Sequence, residues 1–119
     1  MGYLYIGNQK FSPIISSDYE TINVSGSTPS ITLDNYKLYN AGTLTSLTIT
    51  NPNPIPTDFI AQINFISGNT PTIINGDIEW YGDNVNENVG FKPRANCQYS
   101  IMFYYSNNKV RGIIQGSSL

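Results

Sequence analysis

Histidine is absent from this sequence, which removes the side chain most often used as a general base near neutral pH. Serine–histidine–aspartate and cysteine–histidine arrangements go with it, as do most zinc sites. The single cysteine, Cys97, has no second thiol for an internal disulfide and no histidine to activate it. Burial as a small apolar residue is the expectation for it. Charge is scarce too: 12% of residues are Asp, Glu, Lys or Arg, about half the usual share. The net charge is −2, and the six basic residues are scattered between Lys10 and Arg111. Phosphate backbones call for clustered cations, so nucleic acid is not an expected partner. No apolar run approaches the ~18 residues of a membrane-spanning helix, and no membrane partner is expected. The segment from Met1 to Gly7 lacks the basic stretch and cleavage site of a secretory signal. Synthesis in the cytoplasm is the expectation.

Alanine is rare, with three copies against sixteen Ile, nine Tyr and five Phe. Branched and aromatic side chains fill a pleated surface well, and no segment keeps a 3.6-residue period over ten positions. An all-β chain without long helices is expected. Fifteen Asn, with many Ser and Thr, supply polarity in place of charge. Such a surface suits contact with neutral polar matter, glycan or protein, although biased base composition would produce the same usage.

The 119 residues fit one domain. Residues 1–30 read either as an extended N-terminal arm or as edge strands, with short strands at 3–6, 10–15 and 20–24 and a turn at Gly7-Asn8-Gln9. Residues 31–119 read as the β-sandwich domain. Within it Ile31–Leu33, Tyr36–Tyr39 and Thr43–Thr50 favour strands, and the prolines of Asn51–Pro56 break any ladder. Phe59, Ala61, Ile63 and Phe65 alternate onto one face, the predicted core face. Ser67–Pro71 reads as the next turn, before strands at 72–74, 77–81, 98–105 and 109–114. Asn107-Asn108 has the chemistry of a tight hairpin turn. Seven to nine strands in one small domain predict an antiparallel β-sandwich, jelly-roll-like. In the strand 99–105, Tyr99, Ile101, Phe103 and Tyr105 point one way and Ser100, Met102 and Tyr104 the other. Both rows carry large groups, so the strand is either central or lies against a partner subunit or the chain's own arm. Tyr99, Met102 and Tyr104 are the candidate subunit-contact residues.

Chemistry-bearing clusters are few. Asp77 and Glu79 share a strand face, with Asp83 and Glu87 in the loop beyond, and paired carboxylates can act as acid and base on a glycosidic bond. Solvated strand ends beside an aromatic are the plainer reading, and no catalytic residue is assigned. The loop Gly82–Gly90 is rich in oxygen ligands but lacks a full Ca²⁺-loop spacing; no metal or cofactor is expected. Alternation turns Trp80 inward and Tyr81 outward. Tyr81, with Asn84, Asn86 and Tyr104, forms the candidate glycan-binding set, because an aromatic face suits the C–H side of a sugar ring.

The elements Asp58-Phe59, Phe65-x-Ser67-Gly68-x-Thr70-Pro71-Thr72, Ile78-x-Trp80-x-Gly82-Asp83, Pro93-x-x-Asn96, Tyr99-x-Ile101-x-Phe103 and Gly112-Ile113-Ile114-x-Gly116 resemble a β module of bacteriophage virion proteins, of the tail-fibre, baseplate and head-fibre type. Tyr5 to Lys10 resembles short repeats at the start of such proteins. The resemblance implies a non-enzymatic structural part located in the virion, with other virion proteins as partners. It also implies a homo-oligomer, a trimer being favoured, and contact with host-surface glycan. At this length a capsid decoration, head-fibre piece or baseplate accessory is favoured over a complete adhesin. A free-standing carbohydrate-binding module and a glycoside-cleaving enzyme are the alternatives.

Overall fold

The computed structural model describes residues 4–6, 9–11, 19–86 and 89–119. The described residues are all-β, without a helix, in eleven strands. Leu4–Ile6 (β1) and Gln9–Phe11 (β2) pair antiparallel as a small sheet of their own; the turn expected at Gly7-Asn8 lies outside the described residues. The main sheet contains Glu20–Val24 (β3), Ser30–Thr32 (β4), Lys37–Thr50 (β5), Ile60–Asn75 (β6), Ile78–Gly82 (β7), Cys97–Ser106 (β10) and Lys109–Ser118 (β11). Its order is β3-β5-β6-β10-β11-β7, with β4 beside the far half of β5. Val85–Asn86 (β8) and Gly90–Phe91 (β9) pair as a short ribbon.

Pairing is mixed. The β6–β10 and β10–β11 contacts are antiparallel, whereas β3–β5, β4–β5, β5–β6 and β11–β7 are parallel. Local turn chemistry announces hairpins only, so the parallel pairs were not legible from it. The proline-rich stretch 51–59 carries the chain from β5 back to the start of β6, because its prolines cannot extend either ladder.

One sheet makes both layers of the sandwich. A straight sixteen-residue strand would span about 50 Å, yet the longest dimension of the molecule is 34 Å. The long strands therefore curl over, helped by register shifts between Asn40 and Thr43 and between Leu44 and Ser46. Extra residues at such points bend a strand and raise its twist. The curl brings the far end of β5 back beside its start: Tyr39 donates its hydroxyl to the Thr32 carbonyl (3.1 Å), while Leu33 N–H donates to Thr50 (2.9 Å). Ser67–Pro71, expected as a turn, is instead part of β6. The chain bends there rather than reversing, with Gly68 close against Thr43 and Pro71 tolerated where β6 has left β10.

The core fills the space inside the curl. Phe59, just ahead of β6, and Ala61, Ile63 and Phe65 of one β6 face are buried together with Ile101 and Phe103 of β10, Val110 and Ile114 of β11, and Leu44, Leu47 and Ile49 of β5. The β10–β11 hairpin closes with Ser106 opposite Lys109. Asn107 and Asn108 both have positive φ, 52° and 61°, as a two-residue turn matched to strand twist requires.

Candidate functional site

The core takes one face of β6, β10, β11 and β7, so alternation sends every second residue of these strands to the outer face. Register arranges those residues in rows. Leu38, Gln62, Met102, Ile113 and Tyr81 lie across β5, β6, β10, β11 and β7 in one row. Ile60, Tyr104, Arg111 and Glu79 form the row below, and Asn40, Asn64, Ser100 and Gln115 the row above. The outer face thus has an apolar and aromatic end and an amide and hydroxyl end.

At the aromatic end charge is tightly paired. Arg111 Nη1 donates to Glu79 Oε1 (2.9 Å) and to the Tyr81 hydroxyl (2.6 Å), and that hydroxyl donates to Glu79. The Tyr81 bond, with Arg111 and Lys109 adding to it against desolvation, holds the Glu79 carboxyl below the usual glutamate range. The same bond is the largest cause of the raised Tyr81 pKa, and burial pushes the Tyr104 hydroxyl up. Leu38, Met102, Tyr104 and Ile113 are buried on this face although they stand outside the core cluster.

At the polar end an open groove of about 700 Å³ crosses the sheet, with Asn64, Asp83, Gln98, Ser100, Gln115 and Ser117 in its lining. Its amides are held in place. Gln62 Nε2 donates to Asn64 Oδ1 (2.8 Å), Asn64 Nδ2 to Asn40 Oδ1 (3.3 Å), and Gln98 Nε2 to Ser117 Oγ (3.1 Å). Asp83 Oδ2 accepts the Gly116 N–H (2.9 Å). Gln62 Oε1 is buried with no donor among the described residues.

The structure divides the candidate residues. Tyr81 and Tyr104 share the outer face. Asn84 is taken up internally: it has φ 60°, its Oδ1 accepts the Tyr99 hydroxyl (2.7 Å), and its carbonyl accepts Lys92 N–H (3.0 Å). Asn86 belongs to β8 beyond that turn. The four residues therefore form no single sugar site. Tyr99 needs a correction as a contact residue. It is 2% exposed, packed on Phe65 and Phe91, with its hydroxyl also accepting Arg94 N–H. That packing leaves it no surface for a neighbour, and Met102 and Tyr104, each 7% exposed, offer little more as contact residues. Burial raises its pKa.

Two of the candidate carboxylates have structural partners: Glu79 is engaged by Tyr81 and Arg111, and Asp83, in the turn after β7, accepts the Gly116 N–H. Asp77 is exposed ahead of β7, and Glu87 lies outside the described residues. Among the described residues no group of three metal-ligating side chains gathers. Cys97 is buried opposite Ser67, its Sγ donating to the Ala95 carbonyl (3.4 Å).

The groove was not legible from local sequence. Its lining comes from strands far apart in the chain, and Asn, Gln and Ser at alternating positions read only as solvated face. No protein-family model, curated protein or solved structure matches the chain.

Proposed function

We propose that the chain is a non-enzymatic structural part of a bacteriophage virion, a small capsid decoration, head-fibre piece or baseplate accessory that docks to a larger assembly. The observation that carries this reading is the way the virion-type sequence elements meet. Trp80 packs 5.5 Å from Phe91 and 6.0 Å from Phe103, ring to ring, over Gly112, where a Cβ would come within 2.7 Å of the indole. Gly116 lies beneath the Tyr99 ring, with 2.5 Å left for a Cβ. Asp83 reaches across to the Gly116 N–H, and its own N–H donates to Ile114 (3.1 Å). Asn96 turns the chain with φ 55° and binds Gly68. Residues spread from Gly68 to Gly116 thus form one interlocked unit, the behaviour of a scaffold pattern rather than a reaction centre.

A docking edge is available on the same unit. Among the described residues, β6 beyond Ser67 pairs only with β5, and a groove of about 600 Å³ runs beside it between Thr70–Ile73 and Phe91–Ala95. Val89, in its lining, stands 60% exposed, and Ile74, next along β6, 53%. Unpaired strand edges and exposed apolar groups are what partner chains use. In this reading the assembled part is a homo-oligomer, with a trimer favoured. Protein carrying Ile74→Lys and Val89→Asp, supplied during phage production, should be recovered from purified particles at less than about a tenth of the normal amount. Recovery equal to the unsubstituted chain rejects this edge, and absence of the unsubstituted chain from particles rejects the virion reading itself.

A further inference from the structure

We propose that the groove across β6, β10 and β11, whose one charged lining residue is Asp83, is a binding site for a neutral glycan. Its volume, about 700 Å³, lies within the range of small-molecule sites. Asn64, Ser100 and Gln115 stand in one cross-strand row, and Gln98 and Ser117, with Ile66 as the apolar member on β6, in the next. Polar heads therefore repeat about 4.8 Å apart across the strands and about 7 Å apart along them. An amide both donates and accepts hydrogen bonds, as a hydroxyl does. A lattice of such groups complements a ligand with a hydroxyl on nearly every carbon.

Other ligand classes fit less well. No lysine or arginine is in the lining, and Asp83 is, so an anionic polymer meets repulsion without compensation. An apolar ligand would strip water from the amides and leave them unpaired, at a cost for each one. A neutral polyol replaces the lost water bonds one for one.

The groove is also prepared for its ligand. The chain of bonds from Gln62 through Asn64 to Asn40, and the Gln98–Ser117 bond, fix the amide orientations in advance. All of these residues sit on strands rather than loops, so little ordering remains to be done on binding. The site uses none of the residues that the sequence pattern nominated for sugar contact. It stands independently of the virion reading: a particle-bound protein with an inert groove would overturn this inference alone.

The full chain, uniformly ¹⁵N-labelled, is titrated with chitotetraose, maltotetraose and mannotetraose as neutral probes. Tetragalacturonate serves as the anionic contrast. The side-chain amide signals of Asn64, Gln98 and Gln115 are expected to move with at least one neutral probe and to stay still with the anion. Asn64→Ala and Gln115→Ala should each weaken that binding about tenfold, the loss of one or two hydrogen bonds. Tyr81→Ala, at the other end of the face, should leave it unchanged. Should one groove variant fail to fold, the other carries the comparison. Three outcomes would overturn the proposal: amide signals that move with no neutral probe, affinity untouched by the groove substitutions, or equal binding of tetragalacturonate.

Discussion

At the level of single residues, the contacts that define this protein are those where two backbones or a backbone and a ring approach closely. Gly82 has φ +101°, and a Cβ there would collide with the carbonyl of Ile114. Backbone cannot swing aside as a side chain can, so Gly82→Ala should lower stability by about 1–3 kcal/mol in urea unfolding. Gly76→Ala, where a Cβ meets nothing within 4 Å, should change it by less than about 0.5 kcal/mol. Equal effects would mean that the Gly82 contact is not limiting. Ser67 makes the second such point. Fully buried, it bonds the Arg94 carbonyl and accepts the Cys97 N–H (3.2 Å). Ser67→Ala leaves buried groups unpaired and should cost about 1–3 kcal/mol, where a solvated serine would cost almost nothing. Glu79 supplies a pH signature. Its folded pKa is depressed, so it binds fewer protons folded than unfolded near that pH. Its contribution to stability is complete above the ordinary value of 4.5 and is lost as pH falls through the lower folded value. Wild type should exceed Glu79→Gln in stability at about pH 7, and the gap should narrow as pH falls below the ordinary glutamate range. A gap that persists unchanged on acidification contradicts the Glu79–Tyr81–Arg111 assignment.

At the level of elements, the β7–β11–β10 unit is held by Trp80 more than by its ladder, since β7 is short and pairs on one side with β11. Trp80→Ala should destabilise by about 3 kcal/mol and expose the β7 amides to hydrogen exchange before those of β10. Simultaneous exchange of both strands would show that β7 is not separately anchored. The sequence made much of this unit readable: alternation placed Phe59, Ala61, Ile63 and Phe65 inward, put Trp80 in and Tyr81 out, and marked Asn107-Asn108 as a hairpin turn. These are local signals, set by a two-residue period and by side chains that tolerate positive φ. The parallel pairing of β5 with β6 was beyond such reasoning, because it depends on strands meeting after a long connection. Ser67–Pro71 misled for a related reason. Gly and Pro mark a break in regular geometry, but whether the chain reverses or bends is decided by what β5 does opposite it. The groove escaped notice because its residues come from three strands and are ordinary one at a time.

The molecule as a whole is a curled sheet with its core inside, an outer face divided into aromatic and amide ends, and an open edge with exposed Ile74 and Val89. Strands of this length cannot be both straight and contained in 34 Å, and the curl that solves this also creates the outer face. Under the proposed virion role, the chain acts within an assembly, where many weak contacts repeated by symmetry replace one tight site. Quantitative mass spectrometry of gradient-purified phage particles, from a culture in which this chain is made, tests that claim most directly. The account predicts the chain at a fixed, whole-number copy ratio to the major capsid or baseplate protein, retained through washing in about 1 M salt, which screens merely electrostatic adhesion. A chain found only in the particle-free supernatant, or bound at a ratio that falls with each wash, would contradict it.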